Sequence, residues 1–223
     1  MIQINKGKEP AAWTAKCATP GFTKYAPIQE LRDALIAEQF AICAFCMRRI
    51  PTKDQWRTEE SLASGAGLDG TERETSKIAH LQSRSRHPEL QLKYWNMVAA
   101  CPGMINGDAH CDKSQESDDV TLPLFKPSLQ AAISYRTKDG EIKCAEPQWH
   151  QEMTEILKLN NALLKKCRWE VIEGVRRQIE AKKWKTTQLE TILKEWENPD
   201  KEGKLKPFCG VVVWYLRKKL HQA

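Results

Sequence analysis

The chain has 223 residues, 41% hydrophobic and 29% charged, which is enough material for a sizeable core and an ordinary soluble composition. No apolar run approaches the ~20 residues that span a bilayer, and the opening MIQINKGKEP lacks the apolar centre of a secretion signal, so a cytoplasmic location is expected. The net charge of +6 is unevenly placed: residues 1–123 carry 15 Lys+Arg against 16 Asp+Glu, and residues 124–223 carry 20 against 13. A basic second half suits nucleic acid or an acidic partner surface, and equally a solvated helical face.

Residues 1–27 are rich in Pro, Gly, Lys and Thr and are expected to be mostly extended. Leu31, Ala34 and Leu35 recur at helical spacing and predict a helix from about Ile28 to Phe40. The apolar AICAFCMRRI follows as a turn around two cysteines, and the Gly/Ser-rich stretch 51–75 reads as an exposed loop. KIAHL is a strand candidate, and YWNMVAAC starts a helix or turn. The pattern changes after CDKSQESDD, which places a boundary near residue 124 and divides the chain into 1–123 and 124–223.

The second half reads as helical, so the fold class is α+β, mostly α. Trp149, Met153, Ile156, Leu163, Cys167, Val171, Val175 and Ile179 form an apolar stripe at steps of three, four or seven, with Arg168 among the basic residues decorating it. A shorter helix is expected from Thr187 to Glu197. The closing FCGVVVWYLRKKL favours a helix after Pro207, with a strand over Val211–Val213 as the alternative. An exposed apolar face over 208–216 would suit a permanent interface with a partner. Five of the eight tryptophans (Trp149, Trp169, Trp184, Trp196, Trp214) fall in these helices and read as core or interface residues.

The eight cysteines are more consistent with metal ligands and buried thiols than with disulfides in a reducing compartment. Cys43 and Cys46 form a C-x2-C pair, and Cys101 and Cys111 a looser pair whose intervening chain can loop out and return through Gly103 and Gly107. Two thiolate pairs brought together make a closed tetrahedral structural zinc site. The alternative is two unrelated buried pairs, and His110 is the competing ligand. Cys17, Cys144, Cys167 and Cys209 are isolated and read as small core residues. Between the two pairs stand His80, preceded by Ala79, and Asn96.

The phrases CAFC, KIAHLQSRSRH, YWNMVAACPG and HCDKSQ, in that order, resemble an HNH endonuclease of the zinc-stapled type. INKGKEP, LRDALIAEQFAICAFCMRRI and HCDKS are similar to the PtuB-type HNH subunits of Septu antiphage systems, which also occur in some retron systems. The resemblance covers about residues 2–116. It implies a ββα-metal core in which a hairpin and a helix grip one divalent ion, Mg²⁺ or Mn²⁺, and it implies His80 as general base, a task suited to an imidazole that is neutral near pH 7. Asn96 would orient the loop and the base. Asp112 would hold the catalytic ion, with His110 as a further candidate ligand, since carboxylate oxygen suits hard divalent ions.

Arg84 and Arg86 would hold phosphates, with Arg48 and Arg49 as further backbone contacts. His87 reads as solvated, with phosphate contact as the alternative. The partners implied are a PtuA-like ATPase, a DNA or RNA substrate and, in retron systems, a reverse transcriptase with its RNA/DNA. The departure is Ala79, where these enzymes commonly carry a metal-holding Asp, Glu or His. Three readings stay open: inactivation, an ion held by Asp112 and His110 with more water, or a shifted register. The rival class is a non-catalytic zinc module that binds nucleic acid or a partner ATPase.

Overall fold

The computed structural model describes residues 1–50, 76–105 and 108–222; the expected loop at 51–75 and Gly107 lie outside the described residues. The described fold is mixed α+β and mostly helical, with three two-stranded antiparallel sheets. No helix among the described residues is long and apolar enough to cross a membrane.

The N-terminal segment is not simply extended. Pro10, which has no N–H to donate, precedes two alanines that start helix α1 (Ala11–Cys17), and the helix buries Trp13. One apolar anchor in two turns leaves almost no periodic signal, which is why the sequence pattern misses it. Helix α2 (Gln29–Glu38) lies within the expected span and buries Leu31 and Leu35.

Strands β1 (Lys77–His80) and β2 (Met97–Ala100) pair antiparallel, with His80 opposite Met97 and Ala79 opposite Val98. YWNMVAAC is therefore a single 3₁₀ turn (Tyr94–Asn96) followed by a strand, not the start of an α-helix. Side chains alternate across a strand, so the two faces of this hairpin go to different places. Ala79, Val98 and Ala100 join the main apolar core, whereas Met97 and Ala99 join a smaller cluster with Trp13, Leu31, Leu35, Ile50 and Tyr94. The hairpin is thus sandwiched between the main core and the N-terminal arm. His80 points to the arm's side.

A short hairpin, β3 (Met104–Ile105) and β4 (Asp108–Ala109), leads to a one-turn helix α3 (Asp112–Gln115). Beyond it come α4 (Pro127–Ala132), the hairpin β5 (Ile133–Tyr135) and β6 (Ile142–Cys144), and α5 (Pro147–Gln151), which continues as a π-turn over Glu152–Ile156. The β5–β6 hairpin is a feature the helical reading of the second half does not anticipate. The long helix α6 (Ala162–Lys182) starts afresh at Asn161, whose side chain accepts the Leu164 N–H at 2.8 Å. The apolar stripe read from Trp149 to Ile179 is therefore two elements, and α6 buries Leu164, Arg168, Ile172 and Val175, a face rotated from the expected one.

Arg168, expected on the surface, is 1% exposed. Its guanidinium donates to the Gly140 carbonyl at 2.6 Å, the Leu159 carbonyl at 2.8 Å and Asn160 Oδ1 at 3.1 Å. Those acceptors make its burial tolerable by replacing the water it loses.

Helix α7 (Thr186–Glu197) matches expectation. Helix α8 (Cys209–Leu220) settles the C-terminal segment as helix, but its apolar residues are not exposed. Val211, Val212, Tyr215 and Leu216 are buried in the main core. A side chain at Gly210 would meet Met47 Sδ at 2.8 Å and Ile2 Cγ2 at 2.9 Å, so glycine permits the close approach. The partner face expected over 208–216 is occupied by this chain itself. Buried residues from both sides of residue 124, among them Phe45, Leu124, Ile172 and Val211, share one core. Glu152 also reaches across it, accepting the Thr121 and Leu122 N–H groups at 2.7 and 3.1 Å.

Candidate metal centre and adjoining cavity

The four cysteines of the two pairs come together. Sγ atoms of Cys43, Cys46, Cys101 and Cys111 all lie within 4.8 Å of one another, and all four residues are buried. Cys43 stands 3.9 Å from Cys111, and Cys46 stands 3.7 Å from Cys101. Zinc–thiolate bonds of about 2.3 Å in a tetrahedron require sulfurs about 3.8 Å apart. Both distances far exceed a disulfide bond, and the cysteines are free. Burial pushes the thiols of Cys46 and Cys111 well above the ordinary thiol range, while hydrogen bonds from Cys111, Cys43 and Cys46 hold Cys101 well below it, so the cluster stabilises one thiolate at the expense of its neighbours. The set fits a metal such as zinc.

Local structure explains the convergence. The knuckle closes through Cys43 N–H to the Arg48 carbonyl (2.9 Å) and Met47 N–H to the Cys43 carbonyl (3.1 Å), with Met47 in left-handed backbone at φ 62°. Buried Gln39 fastens the knuckle to β2: its amide donates to the Ile42 and Ala99 carbonyls and accepts the Ala99 N–H at 2.7 Å. The second pair needs Gly103, at φ 75°, where a Cβ would sit 2.5 Å from the His110 carbonyl. Gln39 is a supporting residue the sequence reading passes over, because a polar residue at a helix end looks solvated until β2 is placed beside it.

His110 is fully buried, with Nδ1 3.2 Å from Cys111 Sγ and 3.9 Å from Cys101 Sγ. It lies against the thiol cluster and is not among the residues lining the neighbouring cavity, so the structure does not bring it to the place where a second ion was expected.

That cavity, of about 490 Å³, is lined among others by His80, Tyr25, Arg84, Asp112, Lys113 and Gln115, and also by Arg32, Lys77 and Glu116. His80, Asp112 and Arg84 are thus brought together, and Asn96 and Arg86 are not part of the wall. The cations Arg32, Lys77, Arg84 and Lys113 outnumber the carboxylates of Asp112 and Glu116. Of these, Arg32 is engaged with the Ser76 carbonyl at 2.5 Å, and Arg84 and Lys113 stand beside Asp112 on the lining.

His80 Nε2 lies 3.0 Å from the Gln91 carbonyl, which can only accept. Nε2 therefore carries the hydrogen, and Nδ1, which has no hydrogen bond among the described residues, is the basic nitrogen. Burial pushes the His80 pKa down to about 4, and the nearby Arg84 charge adds to the effect. The main chain of His80 is held from the metal side by Gln115, whose amide donates to the His80 carbonyl at 2.7 Å. Helix α3 thus links Cys111 to His80. Asp112, next to Cys111 on that helix, has its carboxyl pushed up by burial, with Lys77 and Arg84 acting in the opposite direction.

Asn96 is fully buried beneath the loop between the strands. Its side chain accepts the Gln82 N–H at 2.8 Å and donates to the Gln82 carbonyl at 2.9 Å. Arg86 pairs with Asp118 at 2.8 Å at the surface, and His87 Nε2 is 3.0 Å from Asp119 Oδ2, both outside the cavity lining. Arg49 donates to the Leu205 carbonyl at 2.6 Å and acts as an internal tie.

Ala79 has a specific place. It is fully buried on the core face of β1 and is not among the residues lining the cavity. A side chain there points away from His80, so a carboxylate at this position would enter the core and not the cavity.

Comparison with family models finds no match for the chain, and comparison with curated proteins finds none either.

Proposed function

We propose that the chain is a metal-dependent endonuclease subunit of the HNH type, hydrolysing phosphodiester bonds with His80 as general base. The observation that carries the reading is the His80 ring: Nε2–H is fixed on the Gln91 carbonyl, and the ring stands on the wall of a cavity rich in cations. Zinc on the four cysteines would be the scaffold, pinning β2 and α3 so that His80 and Asp112 meet across one cavity.

Asp112 is the residue that would hold a catalytic Mg²⁺ or Mn²⁺, an ion that usually takes one or two carboxylates and completes its shell with water and phosphate oxygen. Asp112 supplies one such carboxylate on the cavity lining, and the neighbouring cations Arg84 and Lys113 would meet the phosphate and not the ion. Bound there, the ion would stabilise charge on the scissile phosphate and the leaving oxygen. His80 Nδ1 takes the proton of the attacking water. Arg84 contacts a non-bridging phosphate oxygen and positions the strand. Asn96 keeps the loop after β1 in place, so that Arg84 stays at the cavity.

The resemblance to PtuB-type subunits supports a role in antiviral defence, with an ATPase partner that licenses cleavage and, in a retron setting, a reverse transcriptase with its RNA/DNA. The apolar residues Val211, Val212, Tyr215 and Leu216 of helix α8 are buried against this chain, which leaves its basic end, Arg217, Lys218 and Lys219, for that partner.

The test is a cleavage panel of duplex DNA, single-stranded DNA and RNA, with Mg²⁺ or Mn²⁺, run with and without the co-purified ATPase. Metal-dependent cleavage of at least one substrate, lost on chelation, is expected. Zinc-loaded protein that binds these nucleic acids or the ATPase and cleaves none of them would make the chain a non-catalytic zinc module.

The pH dependence follows from burial. His80 must be neutral to act, and its pKa of about 4 keeps it neutral well below the ordinary histidine range. The acid limb of the single-turnover rate is therefore expected near pH 4 and not near 6.5. Asp112, whose carboxyl burial raises, must also ionise to hold the ion, so the His80 ring is followed directly by NMR; a ring that titrates at or above 6.5 would show that His80 is solvated.

A further inference from the structure

We infer that Tyr25 and Gln91 are positioning residues for His80, so that the N-terminal arm is a working part of the site. The inference rests on His80 being the general base. Gln91 holds two things at once. Its carbonyl receives His80 Nε2–H at 3.0 Å, and its side-chain amide spans the arm, accepting the Tyr25 N–H at 3.1 Å and donating to the Thr23 carbonyl at 3.1 Å. The Tyr25 ring then meets the imidazole edge-on, with centroids 4.6 Å apart and planes at 86°. The Arg84 guanidinium lies over that same tyrosine ring, 4.7 Å from its centroid.

The arm is itself anchored. Fully buried Trp13 packs edge-on against Phe22 and Tyr25, and its Nε1–H donates to the Leu92 carbonyl at 3.2 Å. Arm and turn are therefore tied at adjacent residues, 91 and 92. The carbonyl that selects the Nε2–H tautomer is part of that tie. A base displaced by a fraction of an ångström, or in the wrong tautomer, loses its alignment with the attacking water. Tyr25 also places Arg84, so one ring positions both the base and a cation of the cavity.

The readout is the tautomer of His80 in protein with ¹⁵N-labelled histidine, taken from long-range proton–nitrogen correlations at pH 7 without substrate. The native chain is expected to show Nε2–H alone. Tyr25→Ala and Gln91→Ala are expected to show a mixture with Nδ1–H at unchanged zinc content, and Tyr25→Phe, which keeps the ring, to retain the native signal. Where cleavage is found, both alanine variants should lower kcat about tenfold to a hundredfold with KM within about twofold. An unchanged tautomer in both alanine variants, or a phenylalanine variant as disturbed as the alanine one, would overturn the inference. Because the tautomer is read without turnover, it decides the positioning role even if no substrate is cleaved.

Discussion

Serine in place of any one of Cys43, Cys46, Cys101 or Cys111 is expected to remove the bound metal and most of the stability of the chain. The four Sγ atoms are gathered from three separate segments, and none of those segments is long enough to hold its place by local structure. The knuckle is a turn, β2 is four residues long, and Cys111 sits in left-handed backbone at φ 53° just before a single helical turn. A structural zinc site contributes apparent binding energy of about 10–16 kcal/mol in isolated fingers, against a total folding stability of about 5–15 kcal/mol for an ordinary domain. Losing one ligand therefore threatens the whole fold. Purified protein should contain about one zinc per chain, chelation should lower the denaturation midpoint sharply, and Cys17→Ser should do neither, because Cys17 stands outside the cluster. Native protein free of zinc, or single-serine variants with an unchanged urea midpoint, would remove the scaffold from the account.

Ala79→Glu gives the second large effect, and its direction separates two readings of the same residue. Read from the motif alone, a glutamate here restores a lost metal ligand and raises activity. The structure opposes this, because Ala79 faces the main core opposite His80 and is fully buried. A carboxylate forced into that space is unpaired, which costs several kcal/mol, and overpacks a site fitted to one methyl, which costs about 1–3 kcal/mol more. The expected result is a marked loss of soluble, zinc-loaded protein and no gain in cleavage. A stable variant with new or increased metal-dependent cleavage would place residue 79 at the cavity and reverse this assignment.

How much of this was legible in the sequence depends on the length scale of each signal. The four-cysteine cluster is legible because ligand spacing is local for one pair, and the second pair supplies the two sulfurs that one tetrahedral metal still needs. Helices α2 and α7 are legible from periodicity, whereas β1 is a short run and α8 an apolar run that leaves helix and strand both open until the structure makes it a helix. Helix α1 is not legible, because it buries Trp13 alone.

The buried face of α6 differs from the expected one because Leu163, Cys167 and Val171 compete with positions 164, 168 and 172. Only the carbonyls of Gly140 and Leu159 decide that an arginine belongs inside. The C-terminal run suggests an interface for the same reason: an apolar run shows what must be covered, not what covers it. At the site, the resemblance names His80 and Asp112, and Arg84 follows His80 by four residues; the structure places all three on one cavity. The arm that sets His80 was invisible, because Tyr25 and Gln91 are far apart in sequence and belong to no metal or catalytic motif. Whether Ala79 faces cavity or core depends on strand register, which the letters alone do not give.

The most direct test of the central claim is the single-turnover cleavage rate of His80→Ala relative to the native chain, measured in Mn²⁺ at matched zinc content on the substrate the panel identifies. A general base contributes about 10²–10⁴-fold. The account predicts a loss in that range with substrate affinity preserved. A variant that cleaves as fast as the native chain would contradict it.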